Sequence, residues 1–245
     1  MESLKRPLIL LALSLLAAAL FTAGCASKNE EPYEPSSEQR VVDKAFAALQ
    51  KLGSQDDLEN LMSLIAGAKG VAILPETTKG AFLYGAQLGV GVILGRDYAT
   101  GRWSYPAFCT TGDMSVGVQA GFQTGPLVLV LLSDKALVLG VDAGFSLGGD
   151  ASVTIGPVTA ANITSTDTAA KDVAYYWAPV GLYAGVSLKG GVLLTQQEMN
   201  AAYYLDPDAT AHRVVIENKY TNPGAQPLVD YLNTLSTATA ASRDE

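Results

Sequence analysis

Apolar positions change their spacing twice along this chain. Leu8 to Phe21 is apolar throughout except for Ser14, and a polar, proline-containing stretch, Ala26 to Ser37, follows. Val41, Val42, Ala45, Phe46, Ala48, Leu49 and Leu52 then recur at helical spacing behind Ser36-x-x-Gln39, a capping-box pattern. Gly53 ends that helix. A second is expected from Asp56 or Asp57, burying Leu58, Leu61, Met62 and Ile65, before Gly70 turns the chain into an extended Val71–Pro75.

From there to Leu194 the period is two, the signature of strands. Phe82, Tyr84, Ala86, Leu88, Val90, Val92 and Leu94 alternate with small residues, a run too long for one ordinary strand, so its glycines are expected to mark bends or bulges. Met114 to Phe122 alternates cleanly. Pro126 to Leu132 is continuously apolar, as suits a strand covered on both faces, and Asp134–Leu137 reads as a helical turn. Strands resume at Gly144–Val158, Val173–Trp177 and Leu182–Leu194; the spacing of Gly85, Leu88, Gly91, Val92 and Leu94 recurs one hundred positions later from Gly185, a faint echo of duplication. Thr195-x-x-Glu198 predicts a helix that Asp206-Pro207 stops, Val214–Glu217 a strand, and Pro227 the start of a last short helix. Strands without intervening helices pair antiparallel. The expected fold is α+β: a strongly curved antiparallel sheet or closed β-barrel-like core, flanked by N- and C-terminal helices.

The first apolar run changes the picture of where the protein works. Lys5 and Arg6 precede it, and it enters Thr22-Ala23-Gly24-Cys25. That is a secretory signal peptide, too short as a helix to span a hydrocarbon core of roughly 30 Å. The expected organisation is a signal peptide over 1–24, a lipidated N-terminus and tether over 25–37, a folded domain over 38–237 and a frayed tail over 238–245.

Composition narrows the chemistry. A net charge of −8 argues against nucleic acid, whose phosphates need clustered Lys and Arg. One histidine, His212, and two cysteines leave no zinc pattern, and no cofactor is expected. Cys109, between Phe108 and Thr110, reads as a buried, inert thiol. Gly144-Phe145-Ser146-Leu147-Gly148 matches the G-x-S-x-G nucleophile pattern, with His212 downstream, but no helix follows and no βα alternation surrounds it. A non-enzymatic protein is therefore expected, with a lipid-acting serine hydrolase through Ser146 as the minor alternative. Gly101-Arg102 fits a hairpin turn that brings Trp103, Tyr105 and Phe108 into the sheet, either as core or as the lining of an acyl-chain pocket.

Cysteine directly after Ala23-Gly24 resembles a bacterial lipobox, which implies diacylation and cleavage at Cys25. Ala68–Pro75, Gly89–Val92, Gly101–Phe108, Gly117–Gly121, Leu147–Val153, Gly156-Pro157, Gly181–Leu188 and Ala202–Tyr204, in that order, resemble the SYLF-domain family, also described as the Ysc-type actin-regulator and lipid-binding domain. The resemblance implies phospholipid binding, with phosphoinositides reported for eukaryotic members. The chain departs from the family at Val158-Thr159 and Tyr176–Val180, where basic residues are usual and acidic headgroups would need them. The expected protein is an envelope lipoprotein that binds membrane phospholipid without covalent chemistry, on the periplasmic face of the outer membrane because Ala26 rather than Asp follows Cys25. Lys44, Lys51 and Lys69 are its candidate headgroup contacts, and Trp103, Tyr105 and Phe108 its candidate acyl contacts. The alternative is a structural or protein-interaction lipoprotein without a pocket.

Overall fold

Leu127, Val128, Leu129, Val130 and Leu131 are all fully buried, so both faces of the sheet are covered at this point. The computed structural model describes residues 35–53, 59–97, 99–146, 153–155, 172–177, 180–184 and 191–241, all within one compact unit, Pro35–Glu245. The signal peptide, Cys25 and the tether up to residue 34 lie outside the described residues, as does the second copy of the glycine echo from Gly185 to Gly190. Two helices, α1 (Ser37–Gly53) and α2 (Glu59–Gly67), lead into two very long strands, β1 (Gly70–Gly95) and β2 (Ala107–Leu131). Next come α3 (Asp134–Asp142), the short strands β3 (Phe145–Ser146), β4 (Val153–Ile155), β5 (Val173–Trp177), β6 (Val180–Ala184) and β7 (Val192–Thr195), then α4 (Gln197–Tyr204) and α5 (Ala211–Val215). A 3₁₀ turn, Pro223–Ala225, precedes α6 (Gln226–Ala241).

β2 is the spine. One edge pairs antiparallel with β1 along nearly its whole length. The other edge takes three short antiparallel strands in turn: β5 at Leu127–Leu131, β6 at Ala120–Thr124 and β7 at Cys109–Gly112. β3 extends the sheet beyond β7, and β4 runs parallel to β5, the one exception among the described strands to the antiparallel expectation.

Fully extended, the 26 residues of β1 would reach about 85 Å. Instead its ends meet: Arg96 N–H, just past the strand, donates to Lys69 O, just before it, at 2.8 Å. The hairpin has therefore curled on itself, as the long alternating run and its glycines predict. On β1 its register breaks fall between Leu74 and Thr77 and between Phe82 and Tyr84, not at glycines, although on β2 the second break takes in Gly117. The glycines serve another need. A Cβ on Gly91 would lie 2.1 Å from Ile73 O, and one on Gly89 would lie 2.6 Å from Thr77 Oγ1. Only bare backbone lets the two ends of β1 cross so closely.

Alternation then sorts the core into two layers. Val71, Ile73, Val92, Leu94, Phe108, Val128 and Val130 meet Val42, Ala45, Leu49 and Leu52 of α1, Leu61 and Ile65 of α2, and Leu228, Val229 and Leu232 of α6. Ala72, Leu74, Ile93, Leu127, Leu129 and Leu131 meet Ala136, Leu137 and Val141 of α3 and Val214 and Val215 of α5. Among the described residues, no helix is long and apolar enough to cross a membrane.

Four local expectations are corrected. Val214–Glu217 is not a strand: α5 occupies Ala211–Val215, capped by Thr210, whose hydroxyl accepts from Arg213 N–H. The helix after β7 starts from Gln196, with Thr195 held in the strand by pairing to Cys109. The Asp134 turn grows to nine residues, with Ser133 accepting from Ala136 N–H. The last helix is long, and carries residues 238–241 that the sequence assigns to a frayed tail.

Candidate functional site

The hairpin tip at 96–106 is built by a tight turn. Asp97 Oδ1 accepts from Ala99 N–H at 2.8 Å, and Gly101 adopts φ 70°, a left-handed geometry that favours glycine. Arg96 reaches back from the same turn, donating to Ala66 O at 2.6 Å and so capping the end of α2. This fixes the start of Trp103–Phe108, and with it the three aromatic candidates.

They do not form an open acyl pocket. Trp103 is 4% exposed; its indole N–H donates to Ser236 Oγ at 2.9 Å, and its backbone N–H to Asn233 Oδ1 at 3.1 Å. Phe108 is fully buried, its ring 5.2 Å from and edge-on to Tyr203, while Asn200 Oδ1 accepts its backbone N–H at 2.7 Å. Only Tyr105 reaches the surface, where its hydroxyl donates to Gln226 Oε1. Trp103 and Tyr105 do border a cleft of about 300 Å³ with Asp97, Arg102, Asn218 and Tyr220. Most of its polar groups are already committed: Asp97 to its own turn, and the Tyr220 hydroxyl to Asp206 Oδ2 at 2.8 Å. Trp103→Phe is expected to cost about 1–2 kcal/mol by stranding the Ser236 hydroxyl contact, read as a lowered midpoint in urea at unchanged m-value.

The lysines are dispersed. Lys69 Nζ lies 3.2 Å from Asp134 Oδ1, bracing β1 against α3. Lys51 sits exposed in the last turn of α1. Lys44 Nζ meets both oxygens of Glu76, at 3.0 and 2.9 Å. These three side chains do not converge.

Around Lys44, however, an open groove of about 330 Å³ runs between α1 and the curl of β1, lined by Val41, Lys44, Pro75, Glu76, Thr78, Leu88, Gly89 and Val90. Leu88 is 66% exposed and Val90 42%. They extend the row of Val92 and Leu94, which α1 and α2 cover, past the end of that cover. Sequence reading found Lys44 but not its neighbours, because only the curl brings residues 75–78 beside 88–90. The alternation of Leu88 and Val90 with Gly89 and Gly91 was the available signal.

The remaining chemistry is quiet. Cys109 is buried, and burial pushes its thiol well above the ordinary range. Burial, then the neighbouring Tyr203 and Tyr105, do the same to the Tyr204 hydroxyl, which donates to Pro106 O at 2.6 Å. Ser146 lies in β3, paired antiparallel with Val192 and preceded by α3; residues 147–152 lie outside the described residues. His212 Nδ1 is 2.6 Å from Asp142 Oδ1 on the neighbouring helix, an exposed pair tying α5 to α3. Among the described residues, no three His, Cys, Asp or Glu side chains cluster as a metal site.

Comparison with known proteins bears on the whole domain. A family model described as Ysc84, Las17-binding protein actin regulator, matches residues 112–235. SH3 domain-containing YSC84-like protein 1 of Homo sapiens is 28% identical over 214 residues, covering 85% of this chain and 61% of its own length. The SH3 domain-containing protein PJ696.02 of Schizosaccharomyces pombe is 32% identical over 213 residues, covering 84% and 48%. Protein YSC84 of Saccharomyces cerevisiae is 31% identical over 169 residues, covering 67% and 36%. The chain thus spans less than two thirds of the length of these relatives, whose names denote SH3-containing or YSC84-like proteins.

Proposed function

Because this chain belongs to the Ysc84, or SYLF-domain, family, we propose that it is a lipid-anchored envelope protein whose domain binds phospholipid at its surface, in the groove between α1 and the β1 curl. The observation that carries this reading is the pairing of exposed Leu88 and Val90 with Lys44 in one open groove. Apolar side chains left in water beside a cation suit an amphiphile: buried methylenes contribute about 0.8 kcal/mol each, and the ammonium meets the phosphate. The acyl chain lies along Leu88 and Val90, not inside the domain, since Trp103 and Phe108 belong to the core. Diacylation of Cys25 would hold the domain at the membrane, at the periplasmic face of the outer membrane by the Ala26 argument. α1 begins twelve residues after that cysteine, so lipidation there would keep the groove's domain tied to the membrane.

The test is vesicle co-sedimentation of the chain from Ala26 onward. Leu88→Asp with Val90→Asp is expected to lower vesicle affinity by about tenfold or more, since two buried apolar contacts become charged ones. Absence of binding to every phospholipid tried would end the proposal. A second reading, a protein-docking module, draws on the two filled core layers and on the family's description as Las17-binding. It predicts that the same double variant leaves vesicle behaviour unchanged while a protein partner is lost.

A further inference from the structure

The groove's charges are unusual for a lipid site. Among the residues that line it, Lys44 and Glu76 are the charged ones, and they face each other: Nζ lies 3.0 Å from Oε1 and 2.9 Å from Oε2, with both side chains more than half exposed. Resting on the reading above, we infer that the site selects a zwitterionic phospholipid headgroup, an amine-bearing phosphodiester such as phosphoethanolamine, over a purely anionic one.

The argument is electrostatic. A singly negative headgroup seated on Lys44 is attracted by Nζ and repelled at nearly the same distance by Glu76, so the two contributions largely cancel. A zwitterion can set its phosphate on Lys44 and its ammonium on Glu76, turning the repulsion into a second attraction. An exposed ion pair holds its partners weakly, so both side chains can turn from each other to the ligand. The rest of the surface points the same way: the chain carries a net charge of −8, which disfavours approach to an anionic bilayer. Lys69, the next candidate cation, is also matched by a carboxylate, Asp134. Glu76 is here the discriminating residue, excluding anionic lipid as much as it binds the amine. The apolar wall of Leu88 and Val90 commits the site to a headgroup carrying acyl chains, drawn from the bilayer, rather than to the free phosphodiester.

Native mass spectrometry of the full chain tests this, with the protein released from detergent after titration with phosphatidylethanolamine or phosphatidylglycerol of identical acyl chains. The wild-type chain is expected to retain the ethanolamine lipid about fivefold or more over the glycerol lipid. Glu76→Gln, an exposed and nearly isosteric change, should erase or reverse that ratio; Lys44→Met should reduce retention of both lipids. Equal or preferred retention of phosphatidylglycerol by the wild-type chain would overturn the headgroup inference and leave the groove reading intact. Retention of neither lipid would overturn both. Displacement of the bound lipid by soluble glycerophosphoethanolamine at equal concentration would show a headgroup site without an acyl contribution, against the inference.

Discussion

Gly91→Ala is expected to lower the thermal midpoint by roughly 6–12 °C, because a single methyl group at this position has nowhere to go. Its Cβ would lie 2.1 Å from Ile73 O, 2.6 Å from Leu74 Cα and 2.8 Å from Ile73 C, all backbone atoms. No side chain can rotate away to relieve the contact. The backbone of β1 must separate from itself, and Ile73 and Leu74 anchor opposite core layers, so both feel the displacement. Overpacking of this kind costs about 3 kcal/mol, at the upper end of the usual range, which gives the midpoint shift for a domain of this size. Gly112→Ala is the control. There the nearest atom is Leu88 Cδ2 at 3.9 Å, an ordinary contact, and the midpoint should move by less than about 2 °C. Circular dichroism on both variants decides the matter: equal shifts would mean that the crossing of the two ends of β1 does not hold the fold together.

That crossing also explains where sequence reasoning succeeds and where it stops. The continuous apolar run at Leu127–Leu131 reads correctly as a doubly covered strand, because burial on both faces leaves no polar position. Ser36 accepts from Gln39 N–H at 3.1 Å, as the capping pattern implies. Yet the Gln39 side chain donates to Gly224 O and its oxygen accepts from the Tyr203 hydroxyl, contacts with the distant C-terminal helices that local pattern cannot foresee. The curvature of the sheet was legible from length and glycine content. The role of each glycine was not, since close approach depends on which distant strand arrives.

The misreading of α5 has a similar cause. Arg213-Val214-Val215-Ile216 is rich in β-branched residues, so propensity favours a strand. Thr210 caps a helix there instead, and Ala211, Val214 and Val215 bury one face against the sheet at i, i+3 and i+4. Tertiary burial outweighs a local preference worth tenths of a kcal/mol per residue. The candidate site suffered most, because Lys44 and Leu88 belong to separate periodic patterns that only the curl joins.

Phe108→Ala should separate core from pocket among the aromatic candidates, and its expected cost is about 3–5 kcal/mol. The ring is fully buried between the helices of the first core layer and the edge of Tyr203, in a position that cannot collapse easily because β1 pairs with its backbone on one edge and Gln196, just past β7, donates to its carbonyl on the other. Its backbone N–H is fixed by Asn200, so the strand cannot shift to fill the void. The variant should unfold at markedly lower urea with an unchanged slope. Loss of lipid binding in such a weakened protein would be ambiguous, which makes Phe108→Leu the informative partner. Leucine keeps most of the apolar volume, should retain a folded domain at a cost of roughly 1–2 kcal/mol, and should bind vesicles within about twofold of the wild-type chain. A folded Phe108→Leu protein that no longer bound lipid would place the acyl chain inside the domain after all, against the surface groove at Leu88 and Val90.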